Sequence, residues 1–121
     1  MVRPLFDMNV LVDYLNAVPE ARVELQRYPQ KAISIITWME VMVGARSDVE
    51  SSTRAFLKGF DVIALDETIA ERAVDLRRSH RVKLPDAIIW ATAQTSAMLL
   101  VTRNTKDFAT DDPSVRLPYK L

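Results

Sequence analysis

Four carboxylates lie in or beside apolar segments, where a small protein rarely leaves a charge without a partner. They are Asp7, Glu40, Asp86 and Asp107. Glu40, for example, is the only charged residue from Ala32 to Ala45. An unpaired buried carboxylate is costly, so acids in such positions are paired, bound to a cation or catalytic. Several of them, far apart in the chain and with few cations nearby, predict a metal-binding pocket.

The other chemistry-bearing residues narrow the choice of metal. The chain has no cysteine, so it has no disulfide, thiol nucleophile or cysteine zinc site. It has one histidine, His80. A Ser-His-Asp hydrolase would depend entirely on His80, whose basic and polar neighbours predict a solvated loop or helix end. A site with oxygen ligands alone favours a hard cation, Mg²⁺ or Mn²⁺.

Short strands alternate with helices along the chain. The predicted strands cover residues 2–6, 32–36, 61–65, 98–102 and 115–117, the last at an edge. The predicted helices cover residues 9–16, 19–27, 37–45, 49–58, 67–78 after an Asp66 cap, and 85–95. This alternation predicts an α/β fold, a three-layer α/β/α sandwich around a mainly parallel sheet. Ligands bind beyond the carboxyl ends of such strands, and all four acids are expected to converge there.

Composition sets the remaining limits. A chain of 121 residues with 49% hydrophobic and 26% charged residues predicts one globular domain, residues 1–121. Its two glycines, Gly44 and Gly59, exclude glycine-rich phosphate loops, and Gly59 is expected to cap a helix. No signal peptide or membrane span is evident, which predicts a cytoplasmic protein without a membrane partner.

The net charge is zero, which by itself predicts no binding to polyanions. The densest basic stretch comprises Arg77, Arg78, Arg81 and Lys83. It is interpreted either as the solvated end of a helix or as a rim that contacts phosphates.

Each acid also has a simpler interpretation. Asp7 and Asp86 could cap or stabilise helix N-termini, and Asp107 could belong to a solvated acidic loop. Glu40 could lie on the solvated face of an amphipathic helix, although its apolar neighbours leave no polar face around it. Asn9 could orient Asp7, and Thr102 and Asn104 are polar groups at a strand end suited to hydrogen bonding.

Several apolar residues also have predicted positions. The predicted core residues are Met39, Trp90 and Met98, and Trp38 and Met42 are either core residues or a dimer contact.

Four segments together resemble the PIN-domain ribonucleases, in particular the VapC-type toxins of prokaryotic toxin–antitoxin pairs. They are Leu5–Leu15, Ile33–Gly44, Leu84–Ala93 and Val101–Phe108. The resemblance implies a PIN-like α/β/α sandwich and carries the acidic quartet of the family onto the four acids named above, supported by Asn9, Thr102 and Asn104. One departure is Met8, where the family usually has Thr or Ser. A hydroxyl is therefore missing near the site, although all the acids are present.

The predicted function is a metal-dependent endoribonuclease that hydrolyses RNA phosphodiester bonds with Mg²⁺ or Mn²⁺. Asp7 and Asp86 are the expected direct ligands, Glu40 binds directly or through water, and Asp107 completes a second site or orients the attacking water. The resemblance also implies a homodimer and a cognate antitoxin that places a basic side chain on the acids. Two alternatives remain: a receiver-like phosphotransfer domain that binds Mg²⁺, and a degraded PIN-like binding module.

Overall fold

A computed structural model describes residues 2–121; Met1, part of the predicted 1–121 domain, lies outside the described residues. The strands are β1 Pro4–Phe6, β2 Ala32–Ser34, β3 Asp61–Ile63, β4 Leu99–Val101 and β5 Val115–Arg116. The helices are α1 Met8–Leu15, α2 Pro19–Gln26, α3 Ile35–Gly44, α4 Glu50–Leu57, α5 Glu67–Ser79 and α6 Leu84–Thr95.

The strands form one sheet in the order β3-β2-β1-β4-β5, and every neighbouring pair is parallel. Leu5 of the central strand pairs with Leu100 of β4 and Ala32 of β2. The predicted parallel sheet and the edge position of β5 are confirmed. Because β1 is central, the residue that follows it lies in the middle of the sheet's carboxyl edge.

Successive strand residues pack on opposite faces of the sheet, which produces the three predicted layers. Phe6 and Val101 join a hydrophobic cluster with side chains of α1 to α4. Leu5 and Leu100 join a second cluster, which includes α6 residues such as Ile89. Helix α5 then packs along α6 and extends this second layer. The predicted three-layer α/β/α fold is therefore confirmed.

Side-chain caps fix where several helices begin. The Asp66 carboxylate accepts a hydrogen bond from the Ile69 amide at 2.8 Å, which confirms its predicted capping role. The Ser34 hydroxyl accepts from the Ile36 amide at 3.1 Å and starts α3 at Ile35. The prediction that β2 continues to Ile36 is therefore wrong, because β-branched residues that favour strands here follow a helix cap.

Two further local predictions differ from the structure. Lys58, rather than Gly59, is the C-cap of α4, and Gly59 does not adopt the positive φ that a glycine cap uses. Met39 is 48% exposed and is not a core residue. Helix α3 buries Thr37 and Val41, so Met39 lies on a different side of the helix.

Other predicted positions agree with the fold. His80 is the exposed C-cap of α5, as expected, with its ring 4.9 Å from that of Trp90. Trp38 and Met42 are partly buried against the core. None of the helices formed by residues 2–121 combines the length and apolar character that a bilayer crossing needs.

Candidate active site

Asp7 follows β1 directly and is 5% exposed. Its Oδ1 accepts a hydrogen bond from the Met8 amide at 2.7 Å, which caps α1. Its Oδ2 accepts from the Thr102 hydroxyl at 2.8 Å and from the Asn9 side-chain amide at 3.2 Å. Burial nevertheless raises the pKa of Asp7, because the loss of solvation outweighs these neutral donors. Asp7 is thus held in place without a cationic partner.

Asn9 and Thr102 tie the start of α1 to the end of β4. The Asn9 side-chain amide donates to the Thr102 hydroxyl as well as to Asp7, at 3.2 Å in each case. Its carbonyl oxygen accepts from the backbone N–H of Arg103 at 3.1 Å. The Thr102 hydroxyl also accepts from the backbone N–H of Asn104 at 3.0 Å. These contacts agree with the supporting roles predicted for Asn9 and Thr102, which stay predictions.

Glu40, on α3, is partly exposed. Burial is the largest cause of its raised pKa, followed by the negative charges of Asp7 and Asp86. Across residues 2–121, no side chain forms an ion pair or hydrogen bond with the Glu40 carboxylate. The simpler interpretation of Glu40 as a residue on a solvated helix face therefore holds in part, since solvent reaches its carboxylate.

Asp86 lies in the first turn of α6. Burial, with the nearby charges of Asp7 and Asp107, raises its pKa to about 6, and Lys83 acts in the opposite direction. The simpler interpretation of Asp86 as a carboxylate at a helix N-terminus holds as a structural fact. It does not account for the neighbouring negative charges, which oppose ionisation.

Asp107 is held by Asn104 through a reciprocal pair of hydrogen bonds. The Asn104 side-chain amide donates to the Asp107 carboxylate at 2.9 Å, and the Asp107 backbone N–H donates to the Asn104 side-chain oxygen at 3.2 Å. The charge of Asp107 raises the pKa of both Asp7 and Asp86. The structure thus brings all four predicted acids near one another at the carboxyl edge of the sheet.

The arrangement fits a hydrated divalent cation better than a closed metal cage. Within residues 2–121, no three Asp, Glu or His side chains are close enough together to hold an ion by themselves. Mg²⁺ usually keeps several waters and is held by one or two carboxylates together with substrate phosphate. The four carboxylates supply such donors, and a cation would offset the like charges that, together with burial, raise the pKa of Asp7, Glu40 and Asp86.

Sequence reasoning missed two other buried acids. Asp13 accepts from Arg103 at 2.6 and 3.0 Å and from the Tyr119 hydroxyl at 2.8 Å. Glu24 accepts from Arg116 at 2.8 and 3.0 Å.

Helical spacing was the signal that could have found them. Asp13 lies three residues after the buried Val10, and Glu24 lies three after the buried Ala21, so both fall on buried helix faces. Their partners lie about 90 residues away in the chain and give no local signal.

Comparison with known proteins assigns the family. The PIN domain matches residues 5–110. "Ribonuclease VapC10" of Mycobacterium tuberculosis is 35% identical over 112 residues, covering 86% of this chain and 84% of that protein.

Solved structures agree with this match. A toxin-antitoxin complex from Klebsiella pneumoniae contains a chain with 51% identity and a TM-score of 0.92, covering 98% of this chain and 99% of that one. VapBC2 from Rickettsia felis, bound to a promoter DNA fragment, shares the fold at 21% identity and a TM-score of 0.79, covering 94% and 96%. The receiver-like alternative is therefore wrong, and the chain belongs to the PIN domain family.

Proposed function

We propose that this protein is a divalent-metal-dependent endoribonuclease that hydrolyses RNA phosphodiester bonds, and the toxin of a VapBC-type toxin–antitoxin pair. The observation that carries the proposal is the group of four acids at one edge of the sheet, which have no cationic side chain bonded to them among residues 2–121. Burial, followed by the like charges of neighbouring acids, raises the pKa of three of them, Asp7, Glu40 and Asp86. The relative named as a ribonuclease and the related toxin-antitoxin complex support it.

Asp7 and Asp86 would hold Mg²⁺ or Mn²⁺, with Glu40 binding directly or through water. Asp107 would complete a second site or orient the attacking water. When bound, the cation supplies a polarised phosphate and a water of lowered pKa. Asp7 is prepared for this role because three donors fix its carboxylate before any ligand arrives. Asp86, with a pKa of about 6, is mostly ionised at neutral pH and available as a ligand.

Met8 does not leave Asp7 without a hydroxyl partner. The Met8 side chain packs against the hydrophobic core, so it fills space in the fold. The Thr102 hydroxyl donates to Asp7 at 2.8 Å from the neighbouring strand end. Because Thr102 is one of the supporting residues that the resemblance already includes, its hydroxyl does not replace one at position 8. The cleavage test below therefore decides between the nuclease and the degraded module.

Assembly with an antitoxin and a second copy belongs to the same proposal. An antitoxin that places Arg or Lys on the four acids would substitute for the charge of the cation. The apolar Met39 and Val43, 48% and 87% exposed on α3, are available for a homodimer contact. The protein is expected to work in the cytoplasm, where its RNA substrate and antitoxin are made.

The test is cleavage of end-labelled single-stranded RNA by the purified chain with Mg²⁺, with Mn²⁺ or with EDTA. We expect cleavage with either cation and none with EDTA. Asp75→Asn, which alters an exposed α5 carboxylate, is the matched control and should cleave normally. Cation binding without cleavage of any RNA would favour the degraded module. Expression should also be toxic and be relieved by the product of the adjacent gene.

A further inference from the structure

The end of α5 and the connection to α6 form a basic surface, defined here as Arg77, Arg78, Arg81 and Lys83. All four side chains are exposed. No acidic residue occurs from Leu76 to Pro85, and Asp75 and Asp86 flank this segment. The structure shows no ion pair for any of the four with residues 2–121.

Most other arginines of the chain have partners. Arg3, Arg46 and Arg54 pair with acids at the surface, and Arg103 and Arg116 pair with buried ones. The basic surface is therefore a local concentration of cations that the fold leaves unneutralised. Such a concentration suits a polyanion even though the net charge of the chain is zero.

Helix stability accounts for only half of this surface. Arg77 and Arg78 lie in the last turn of α5, where cations are favourable. Arg81 lies beyond that helix, and Lys83 is the N-cap of α6. A cation at a helix N-terminus opposes the macrodipole, so the position of Lys83 costs the fold stability.

The basic surface reaches one of the four acids, Asp86, through Lys83. Arg77, Arg81, Val82 and Lys83 line one surface cavity of about 310 Å³. Lys83 lies one helical turn before Asp86, close enough for its charge to lower the pKa of that carboxyl. A chain of phosphates that crosses the cavity would therefore continue into the acidic edge.

We infer that this basic surface binds the backbone phosphates of single-stranded RNA next to the scissile bond. The inference rests on the proposed nuclease function and adds the substrate-binding surface to it. Phosphate contacts of this kind position the strand and contribute affinity, and they carry no sequence preference.

The experiment measures binding in the Asp7→Asn background, where cleavage is expected to be slow enough for binding to reach equilibrium. Fluorescence anisotropy of a labelled single-stranded RNA is recorded over a series of NaCl concentrations. Arg77→Ala/Arg81→Ala is compared with Arg22→Ala/Lys58→Ala. The control pair removes the same charge from exposed positions at α2 and the end of α4, in the other helical layer. Thermal unfolding checks that both variants fold.

We expect the Arg77/Arg81 pair to weaken binding about tenfold or more at low salt. The slope of log affinity against log salt should fall by about 1.4, since each single-strand phosphate contact contributes about 0.7. The control pair should leave the slope unchanged. The inference would be overturned if both double variants lost the same affinity, or if the salt slope of Arg77→Ala/Arg81→Ala stayed unchanged. It would also be overturned if the Asp7→Asn parent bound no RNA. Displacement of RNA by polyglutamate of equal charge would assign the surface to an acidic protein segment and would also overturn it.

Failure of this inference is distinguishable from failure of the proposed function. A chain that cleaves RNA with Mg²⁺ but keeps its salt slope after the Arg77/Arg81 change is a nuclease with another binding surface. A chain that cleaves no RNA with either cation fails as a nuclease, whatever the basic surface binds.

Discussion

Asp7 and Asp13 lie six positions apart at the same helix, are 5% and 7% exposed, and differ in their partners. Asp13 accepts two hydrogen bonds from Arg103 and one from Tyr119, whereas Asp7 accepts only from neutral donors. Burial is therefore a poor marker of a functional carboxylate. The absence of a cationic side chain at Asp7, among residues 2–121, is what separates a candidate ligand from a structural ion pair.

The unpaired region around Asp7 and the paired region around Asp13 are joined through one residue, Arg103. The Arg103 guanidinium binds Asp13, and the Arg103 backbone N–H donates to Asn9, which in turn donates to Asp7. The Asp13–Arg103 ion pair of the paired region thus holds the end of β4 against α1 and positions Asp7 in the unpaired region. Changes in the two regions should consequently affect different properties.

Asp7→Asn should reduce RNA cleavage by at least about 10³-fold, or roughly 4 kcal/mol, because a metal ligand is lost. The free energy of unfolding should change by less than about 1 kcal/mol, since Asn also caps helices and an unpaired charge is removed. Cleavage kinetics and urea denaturation measure the two effects. Cleavage within tenfold of the parent would remove Asp7 from its assigned role.

Asp13→Asn should lower the free energy of unfolding by about 2 to 4 kcal/mol. Breaking a fully buried ion pair costs about 3–5 kcal/mol, and the 28% exposure of the Arg103 side chain lets water offset part of this. Urea denaturation measures the loss. Asp48→Asn, at a largely exposed pair with Arg46, is the control and should cost under about 1 kcal/mol. Equal effects at both positions would contradict the distinction between the regions.

Asn9→Ala should weaken Mn²⁺ binding and cleavage by about 10- to 100-fold, as is typical when a group that orients a metal ligand is removed. The change deletes the Asn9 contacts to Asp7, Thr102 and Arg103. Calorimetric titration measures the Mn²⁺ affinity, and urea denaturation checks that the variant is folded. A folded variant that binds Mn²⁺ as tightly as the parent would remove Asn9 from its supporting role. Asn16→Ala, at the exposed C-cap of α1, is the matched control.

Asp86→Asn should stabilise the metal-free protein above pH 6 and have little effect near pH 4. The pKa of Asp86 is raised to about 6 from its ordinary 3.8, so the folded state binds more protons between these values and its stability falls as pH rises through them. Two pKa units correspond to about 3 kcal/mol, and solvent around a half-buried group reduces this to about 1 kcal/mol. Urea denaturation of both proteins in EDTA across this pH range measures the difference in their free energy of unfolding. A gain in the free energy of unfolding that shrinks with rising pH would contradict this prediction.

Sequence periodicity predicted the parallel sheet and the convergence of the acids, because strand–helix alternation determines at which edge each strand end lies. It misplaced the end of β2, where one hydroxyl of Ser34 decides between strand and helix. The same periodicity placed Met39 in the core, because α3 is apolar around most of its circumference and its sequence does not mark which side faces solvent.

The pairing of Asp13 and Glu24 could not be predicted for a different reason. Each acid meets an arginine about 90 residues away, and only the folded sheet brings the two together. Apolar neighbours in the sequence marked Asp7, Glu40, Asp86 and Asp107 rather than these two, and the family resemblance points to the same four. The metal-binding role of that quartet stays a prediction.

The metal-binding role of Asp7 is measured by calorimetric titration of Mn²⁺ into the metal-free protein at pH 7.5, with Asp7→Asn and the surface control Asp75→Asn titrated in parallel. Saturable binding is expected for the parent and for Asp75→Asn, and loss of that binding is expected in Asp7→Asn. Absence of binding to the parent at millimolar Mn²⁺, or equal affinity in Asp7→Asn, would contradict that role.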